Sequence, residues 1–499
     1  MMKVHLLHPD DDAPMDPVEG ESDLVRDLGL DDVVARMADG DAFVRTAATA
    51  TLLRPLTRTE DIAWRQGVLA DARAHPSAVR ELQRIALDGV NTEVRVRGWW
   101  ISAEPSSVLG RSVALMRALL EPLRALRRWA ATHEGVLRSE GMRALLATID
   151  QNLSEDWFTT VERHLRQLQY SDVVMTAHLG RAGKGTGYVL HAMEQGKRPW
   201  RAVLGSQRAD DLTLVIAEMD TIGGQAVSDL RDRAISGVAE TLAQSTEQVL
   251  SFFAHLRWEV AFVVGTVTLH ERLTALGMPL AVPVARPAGR ELTARGLYDV
   301  GLALRSGRAV VPSDLAADGA GVVVITGANQ GGKSTLLRAV GLAQLMMQAG
   351  MPVGAEEYRA SVAGRVHTHF RREEDETLRS GKLHEELVRM SRIVDRANPG
   401  DLLLSNESFA STNEREGSRI ATQIVEGLAD ADVRVIMVTH LYEFSRSLAG
   451  TRSDALFLRA ERAPDGERTF RIVPGEALPT SHGADLWRRV FGTEPDVTP

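Results

Sequence analysis

The chain has no cysteine and few aromatic residues. Because none of its 499 residues is cysteine, disulfide bonds and thiolate metal sites are excluded, and a reducing cytoplasm fits this composition. Aromatic residues make up only 5% of the chain, whereas 44% is hydrophobic and 25% is charged. This balance is typical of an ordinary folded protein, and the length allows two to four domains with large cores.

The sequence also lacks an apolar segment of the kind that enters membranes. Its first residues turn acidic and do not contain the apolar core of a signal peptide. The most apolar long stretch, residues 250–269, carries His255, Arg257 and Glu259. We therefore expect a cytoplasmic protein with no membrane span. The formal net charge of −9 argues against wholesale coating of nucleic acid but is compatible with a local basic surface.

One segment predicts a phosphate-binding site. An apolar run of strand type leads into residues 327–335, called here the glycine-rich loop, and a helical pattern follows. The loop has the spacing G-x-x-x-x-G-K-[ST], in which backbone N–H groups surround phosphates, lysine neutralises their charge and serine binds Mg²⁺. We expect it to bind a nucleoside triphosphate. The predicted nucleotide-binding residues are Gly327, Asn329, Gly331, Gly332, Lys333, Ser334 and Thr335.

Two later apolar runs end in polar side chains. Residues 402–404 lead to Asn406 and Glu407, and residues 435–438 lead to His440. In ATPases of this kind an aspartate holds the water shell of Mg²⁺ and the next glutamate polarises the attacking water. We expect Glu407 to be the general base, His440 to sense the γ-phosphate, and Asn406 to hold Mg²⁺ through water. Since Asn406 carries no charge, Mg²⁺ binding should be weak and turnover slow. The alternative is a pair of strand ends capped by surface polar residues.

A fourth feature is Ser380-Gly381 at the start of a helical pattern. Serine and glycine at a helix N-terminus can bind an anion, although a simple helix cap is the alternative.

The order of these four features resembles that of ABC-type ATPases and, within them, of the MutS family. Residues 326–350 are similar to the family's TGPNMGGKST segment and its helix. Residues 438–444 look like its A-T-H-Y-F-E-L segment, and residues 479–483 look like its K-S-Y-G-I segment. The helical half carries a weaker resemblance to the start of the family's core domain, at Pro55, Leu56, Ile62, Arg65 and Gln66.

The resemblance implies an α/β plus α architecture. A P-loop ABC-type ATPase domain with a parallel-rich sheet, residues 281–499, would follow a mostly helical core and lever domain, residues 26–280, and a loose acidic tail, residues 1–25. It also implies ATP hydrolysis with Mg²⁺, closure of a homodimer through the ATPase domains, and DNA as a partner. Ser380 and Gly381 would then complete the site of the other subunit, and the dimer-facing loop would contain Ser411, Thr412 and Asn413.

Several departures from the family pattern limit these expectations. The expected core begins near residue 31, which leaves no room for mismatch-reading N-terminal domains, and no Phe-x-Glu motif stands in the expected place. Lys382, Leu383 and His384 replace the Ser-Thr-Phe that follows the family's Ser-Gly. We also expect no C-terminal dimer element and no small nuclease domain. Specific mismatch recognition is therefore not expected.

The helical half contains a strand-rich basic insert, residues 173–223, with predicted strands at residues 173–177, 187–190 and 212–216. Its basic residues could clamp a phosphate backbone or simply face solvent. The candidate DNA-binding residues are Lys184, Lys197, Arg198 and Arg201. An apolar stripe at residues 227–273 then predicts a helix on the order of 70 Å long, either a lever or a plain core helix. An earlier helical pattern, residues 108–126, predicts a break or kink at Pro122, and the prolines at positions 279, 283 and 287 predict a linker.

Two other functions remain open at this stage. The chain could be a nucleotide-gated scaffold that binds a protein partner with little hydrolysis, which Asn406 and the acidic net charge favour. It could also be an ABC-type ATPase of chromosome maintenance. A metal site at His367 and His369, beside Glu373, Glu374 and Asp375, is a weaker alternative, because no other ligand spacing supports it and the acidic run is most simply a solvated turn.

Overall fold

The computed structural model describes residues 2–10, 21–96, 104–168, 174–179, 185–191, 221–328, 330–372, 381–463 and 468–478. Within these ranges the chain forms fourteen helices and twelve strands. The helices are α1 (Ser22–Leu28), α2 (Leu30–Ala38), α3 (Ala42–Leu52), α4 (Thr59–Ala74), α5 (Pro76–Val96), α6 (Pro105–His133), α7 (Glu140–Asn152), α8 (Glu155–Gln167), α9 (Thr221–Ala275), α10 (Val300–Ser306), α11 (Lys333–Gln348), α12 (Lys382–Val394), α13 (Glu414–Asp430) and α14 (Tyr442–Thr451). The strands are β1 (Val174–Leu179), β2 (Gly185–His191), β3 (Val284–Arg286), β4 (Leu292–Leu297), β5 (Ser313–Ala316), β6 (Val322–Thr326), β7 (Glu357–Ser361), β8 (Val366–Phe370), β9 (Leu402–Asn406), β10 (Arg434–Val438), β11 (Ala455–Arg462) and β12 (Arg468–Pro474). The mixed α/β class expected from the sequence is confirmed.

The chain divides into two compact units that do not follow sequence order. Unit 1 contains Met1–Val4, Arg80–Leu137 and Arg143–Arg257, and unit 2 contains His5–Val79, Arg138–Met142 and Trp258–Pro499. The expected domain boundary near residue 280 thus falls inside unit 2.

Unit 1 is mostly helical, and its helix α6 continues through Pro122. The sequence predicts a break or kink there, because proline removes a hydrogen bond and costs ~3 kcal/mol within a helix. Pro122 is itself buried, and the apolar stripe of α6 extends to both sides of it, through Leu119 and Leu123. Burial of each leucine contributes ~1.5–3 kcal/mol, so the stripe outweighs the cost of the proline and the helix does not break.

Unit 1 also contains the antiparallel pair β1 and β2, in which Val174 lies opposite His191. These strands match the first two strand predictions. The third predicted strand, at residues 212–216, and the four basic candidates Lys184, Lys197, Arg198 and Arg201 lie outside the described residues.

Helix α9 is continuous over 55 residues, which corresponds to about 80 Å, and it contributes residues to both units. The unbroken helix predicted from its apolar stripe is confirmed. Its segment Ile235–Ala275 is long and apolar enough to cross a membrane, but 78% of its most apolar window is buried within the protein. That burial is typical of a core helix.

Unit 2 contains two sheets. The six-stranded sheet has the order β12-β11-β6-β10-β9-β8, with β11, β6, β10, β9 and β8 all parallel and β12 antiparallel at one edge. The four-stranded sheet has the order β3-β7-β4-β5 and is mixed. Strand β3 lies where the prolines at positions 279, 283 and 287 predict a linker, because its pairing with β7 supplies backbone partners for this short segment.

Helices cover both faces of the six-stranded sheet. Val324, Leu403 and Met437 share one core with Val425 of α13 and Phe444 of α14. Neighbouring strand residues point to the opposite face. There α11 packs so closely that a Cβ on Gly341 would lie 2.6 Å from the side chains of Leu404 and Leu28. The expected parallel arrangement of these strands, with helices on either side, is therefore present.

Residues 2–10 are packed, although the sequence predicts a loose tail. In unit 2, Leu6 and Leu7 are fully buried and their backbone N–H groups donate to Glu259 Oε2 at 2.7 and 2.9 Å. Arg65, also fully buried, donates to the Leu7 carbonyl at 3.0 Å. A short apolar segment can thus be held in place despite acidic flanks, because buried side chains satisfy its backbone groups.

Candidate functional site

The predicted site residues follow three adjacent strands of the six-stranded sheet. Strands β6, β10 and β9 are neighbours and run parallel, with Val438 paired to Ile325 on one side and to Asn406 on the other. The carboxyl ends of parallel strands lie at the same edge of a sheet. The glycine-rich loop, the Asn406–Glu407 pair and His440 therefore meet at one place, which is where ligands bind in open α/β sheets.

The glycine-rich loop needs its glycines for two local reasons. Gly327 and Gly332 have φ values of 110° and 91°, which side chains rarely adopt. A Cβ on Gly332 would also lie 2.7 Å from the Phe470 carbonyl oxygen, and one on Gly331 would lie 2.7 Å from the Ala460 Cβ. The loop then joins α11, whose first residues are Lys333, Ser334 and Thr335. Its backbone N–H groups at this helix start form an anion-binding environment.

Lys333 is buried beneath the loop. It is only 4% exposed, and its Nζ donates to the carbonyl oxygens of Gly327 at 2.7 Å and Ala328 at 2.9 Å. Burial lowers the pKa of Lys333 to about 8, and the nearby Glu407 carboxylate opposes that shift. Because both carbonyl oxygens are neutral, a phosphate at this position would be a more favourable partner for the Lys333 ammonium.

Ser334 and Asn406 form the second contact of the site. The Ser334 hydroxyl donates to the Asn406 Oδ1 at 3.0 Å. The first turn of α11 and the end of β9 thus place two neutral oxygen ligands side by side. Hydroxyl and amide oxygens suit a hard cation such as Mg²⁺, so the pair fits that ion without contributing charge.

Glu407 and His440 form the third contact. The Glu407 Oε1 lies 3.1 Å from the His440 Nε2. The hydrogen bond from His440 is the largest influence on the pKa of the Glu407 carboxyl and lowers it. Burial raises this pKa, whereas the charges of His440, Lys333 and Arg371 lower it further. Because the ionised carboxylate can only accept, Nε2 carries the proton. The 3.5 Å approach of Lys333 Nζ to the same nitrogen is therefore a contact without a hydrogen bond.

The backbone at Glu407 is unusual. Its φ is 53°, in the left-handed region, and its N–H donates to the Val438 carbonyl at 2.8 Å. Such a conformation costs of order 1–3 kcal/mol in a residue other than glycine and persists where surrounding contacts hold it. The strand end is bent so that the Glu407 carboxylate reaches His440.

Sequence reasoning missed Arg371 and Glu386. The Arg371 guanidinium lies 3.9 Å from Glu407, because Arg371 directly follows β8, the strand next to β9. Glu386 is buried and accepts from the Phe409 N–H at 3.0 Å and the Ser411 hydroxyl at 2.9 Å. The strand order would have located Arg371, but the chain alone does not reveal that order.

The remaining predicted residues are placed as follows. Asn329 and Ser380 lie outside the described residues, and Gly381 is the N-cap of α12. Ser411 is held by Glu386, as above. The Asn413 Oδ1 caps α13 by accepting from the Glu416 N–H at 3.0 Å, and the Thr412 hydroxyl also bonds to Glu416. These contacts show an ordered turn at residues 411–413.

The two histidines of the weaker metal-site alternative already have other partners, and its acidic residues, Glu373, Glu374 and Asp375, lie outside the described residues. His367 bonds to Asp401 at 2.9 Å, whereas His369 is fully buried between the Ser408 hydroxyl at 2.6 Å and the Glu386 carbonyl at 3.0 Å. Burial lowers the pKa of His369 to about 4, so it is a neutral core residue. Among the residues that the structure describes, no group of three or more His, Asp or Glu side chains could hold a metal ion.

Comparison with known proteins places the two halves of the chain in one family. A model described as "MutS2 N-terminal domain" matches residues 57–276, and one described as "MutS domain V" matches residues 323–471. The two matches fall on either side of the boundary that the sequence predicts near residue 280. The second match contains the glycine-rich loop, Asn406, Glu407 and His440.

Individual relatives agree with these matches. The chain is 25% identical over 491 residues to "Endonuclease MutS2" of Anaeromyxobacter sp. (strain Fw109-5), covering 90% of this chain and 54% of that protein. It is 26% identical over 480 residues to "DNA mismatch repair protein MutS" of Synechococcus sp. (strain CC9902), covering 91% and 51%. The chain thus spans about half the length of the relatives it matches. By its two matched domains and the order of its motifs, this chain belongs to the MutS family.

Proposed function

We propose that this chain is an ATP-binding and DNA-binding ATPase of the P-loop, ABC type that acts in DNA repair or recombination. The observation that carries the proposal is the convergence of the Lys333 ammonium, the Ser334–Asn406 oxygens and the Glu407–His440 pair at the carboxyl ends of β6, β9 and β10. Phosphoryl transfer requires a cation at the phosphates, a metal site and a base for water, and these residues supply all three.

Each side chain has a definite task in this proposal. Lys333 leaves the Gly327 and Ala328 carbonyl oxygens and binds the phosphates of ATP. Ser334 and, through water, Asn406 would hold Mg²⁺, and the bound ion would offset phosphate charge. Glu407, ionised because His440 donates to it, accepts a proton from the attacking water. His440 senses the γ-phosphate through the same contact.

Slow turnover is part of this proposal. Asn406 adds no negative charge to the Mg²⁺ site, and the lowered pKa of Glu407 makes it a weaker base than a carboxylate poised near neutrality. Both features reduce the rate of hydrolysis while leaving nucleotide binding intact.

We further infer a homodimer closed by ATP. Ser380 and Gly381 would contact the γ-phosphate bound by the partner subunit, and Ser411, Thr412 and Asn413 would face that subunit. The position of Gly381 at the start of α12 supports this, because a helix start can present N–H groups to an anion. The domain roles remain as the sequence predicts: a core and lever domain over residues 26–280 and an ATPase domain over residues 281–499, in a cytoplasmic protein.

DNA is the proposed macromolecular partner. Closure of the dimer would act through α9, whose 55 continuous helical residues suit a lever. Lys184, Lys197, Arg198 and Arg201 are the proposed contacts with the phosphate backbone. Support comes from the family of the chain and from the basic character of this insert.

Calorimetry with ATP and Mg²⁺ tests the nucleotide site. Lys333→Ala should eliminate ATP binding, and Glu407→Gln should retain binding but lower hydrolysis by ~100-fold or more, the usual contribution of a general base. Glu443→Gln, an exposed change on α14, is the matched control and should change neither. Hydrolysis at the parental rate in Glu407→Gln would remove Glu407 from the proposed chemistry.

A filter-binding panel tests the DNA partner. Duplex, mismatched and branched DNA should bind with an affinity that falls as salt rises, and ATP and ADP should change it differently. Lys197→Glu combined with Arg201→Glu should abolish binding while ATP binding stays unchanged. Unchanged DNA affinity in that double variant would remove the insert from the interface.

A second candidate function is a nucleotide-gated scaffold for a protein partner. The neutral oxygen of Asn406 beside Ser334 favours it, since weak Mg²⁺ binding suits a switch better than a motor. Hydrolysis that stays negligible in the presence of every DNA in the panel would favour the scaffold.

A further inference from the structure

A second concentration of positive charge lies in unit 2, away from the glycine-rich loop. A cavity of about 850 Å³, open to solvent, is lined by residues of α1, β8 and α12. Among the residues that the structure describes, five arginines and two carboxylates line it, an excess of three positive charges. The arginines are Arg365, Arg372, Arg389, Arg392 and Arg396, and the carboxylates are Glu21 and Asp23.

The arginines differ in what they already contact. The Arg372 Nη2 bonds to the Asp23 Oδ1 at 2.5 Å, so its charge is matched. Within the part of the chain that the structure describes, the exposed side chains of Arg365, Arg392 and Arg396 have no hydrogen bond or ion pair. Three guanidinium groups are therefore available to a ligand at the rim of the cavity.

Arg389 is the deepest of the five. Its side chain is only 10% exposed, and its Nη1 donates to the Phe370 carbonyl at 3.0 Å. Its Nε and Nη2 have no hydrogen-bond partner, although Asp23 and Asp27 lie 3.4 and 3.9 Å away. These two carboxylates offset the charge of Arg389 at ion-pair distance, and its Nε and Nη2 hydrogens can still donate to a closer oxygen.

Part of the remaining wall is apolar, and Ser22, Thr368 and His367 make the rest of it polar. Leu24, Leu345 and Val366 are buried residues that line the cavity. A volume of this size accommodates a ligand well beyond a single inorganic ion. A guanidinium group can bind two phosphate oxygens at once, so a cavity lined by several arginines and by apolar side chains suits a phosphorylated organic molecule.

We propose that this cavity binds a polyphosphate ligand of nucleotide size, at a site separate from the glycine-rich loop. Arg365, Arg392 and Arg396 bind its outer phosphates. The Nε and Nη2 groups of Arg389 donate to the innermost phosphate. Leu24, Leu345 and Val366 contact the organic part. The proposal does not depend on the ATPase function, because none of the lining residues belongs to that site.

The test uses the full chain carrying Lys333→Ala, which removes binding at the glycine-rich loop. Tripolyphosphate and ADP are titrated into this protein by calorimetry, with adenosine as a probe that lacks phosphate. Both phosphorylated probes should bind, and adenosine should not. Tighter binding of ADP identifies a nucleotide as the ligand, and equal binding identifies the polyphosphate chain; either result supports the site.

The decisive variant adds Arg392→Glu and Arg396→Glu. These side chains are exposed, so the fold should persist, which the thermal unfolding midpoint verifies. Tripolyphosphate affinity should fall at least ~10-fold, as expected for two lost charge-assisted contacts. The matched control is Arg419→Glu with Arg446→Glu, two exposed arginines on α13 and α14 that do not line the cavity, and it should change affinity less than about twofold.

Three results would overturn the proposal. The first is that neither phosphorylated probe binds. The second is an equal loss of tripolyphosphate affinity in the cavity variant and the control, which would show that binding depends only on the net charge of the protein. The third is a cavity variant that loses DNA binding but keeps tripolyphosphate binding, because that would make this surface a DNA contact.

Discussion

The Ser334 hydroxyl donates a 3.0 Å hydrogen bond to the side-chain oxygen of Asn406, joining the first turn of α11 to the end of β9. An aspartate at position 406 would place a full negative charge at this point, and the amide does not. The pair is therefore the feature of the site whose chemistry can be changed most directly by one substitution.

Asn406→Asp should strengthen Mg²⁺ binding. A carboxylate beside Ser334 attracts a divalent cation by its negative charge, whereas the amide offers only a neutral oxygen. The Mg²⁺ concentration for half-maximal nucleotide binding should therefore fall by about tenfold. Fluorescent nucleotide titrated with Mg²⁺ measures it. Asn406→Ala removes the side-chain oxygen and should raise the Mg²⁺ concentration needed for half-maximal nucleotide binding. The same Mg²⁺ requirement in all three proteins would show that residue 406 does not contribute to the metal site.

Nucleotide affinity should fall as the pH rises above about 8. Burial lowers the pKa of Lys333 to about 8 in the free protein, so the ammonium loses its proton above that pH, and phosphate binding must then restore it. Each further pH unit weakens binding by at most about tenfold. Dissociation constants for ATP at pH 7, 8 and 9 measure this effect. Lys333→Arg stays charged throughout and should give weaker but pH-independent binding; a parental affinity that stays flat to pH 9 would contradict the role of this pKa.

Gly332→Ala should damage both the loop and the fold. The φ of 91° and the nearby Phe470 carbonyl oxygen leave no space for a Cβ, so the free energy of unfolding should fall by ~1–3 kcal/mol and ATP binding should weaken. Chemical denaturation and calorimetry measure the two effects. The matched control is Gly427→Ala in α13, where a Cβ meets nothing within 4 Å. Because alanine favours the helix, this change should raise the free energy of unfolding by ~1 kcal/mol. Equal stability of the two variants would show that the loop tolerates a side chain.

Glu386→Ala should loosen the turn that follows Glu407. It leaves the Phe409 N–H and the Ser411 hydroxyl without their acceptor in a buried setting, which costs ~2–4 kcal/mol of unfolding free energy. Glu386→Gln keeps one acceptor oxygen and should lose less. Denaturant unfolding measures the difference, and Glu443→Ala, at an exposed position of α14, is the control. Identical losses for Ala and Gln would contradict this account, because Gln fills the same space and still offers one acceptor oxygen.

Most of the site could be predicted from the sequence because its parts are local. A strand followed by glycines and a helix start places Gly327, Gly332 and Lys333 without any distant contact. Asn406, Glu407 and His440 also follow recognisable strand ends. What the chain alone cannot supply is the order of strands, and Arg371 was missed for that reason: it lies beside Glu407 only because β8 pairs with β9.

Other differences arise where tertiary packing overrides a local preference. Pro122 predicts a break, but the leucine stripe on both sides of it is buried and α6 continues. The acidic start of the chain predicts a loose tail, yet Leu6 and Leu7 are buried and bonded to Glu259, which lies more than 250 residues away along the chain. Such contacts depend on partners that no sequence window contains.

The sequence by itself determined the local elements: the glycine-rich loop before a helix, the polar ends of two apolar strands, and the long helix α9. Their periods of two and 3.6 residues and their turn residues are properties of neighbouring positions. Only the tertiary structure decided which strands are adjacent, that residues 5–79 group with residues 258–499, and that five arginines from α12 and from the segments beside β8 and α12 line one cavity. Those features rest on the free energy of long-range packing, which is shared among many distant residues.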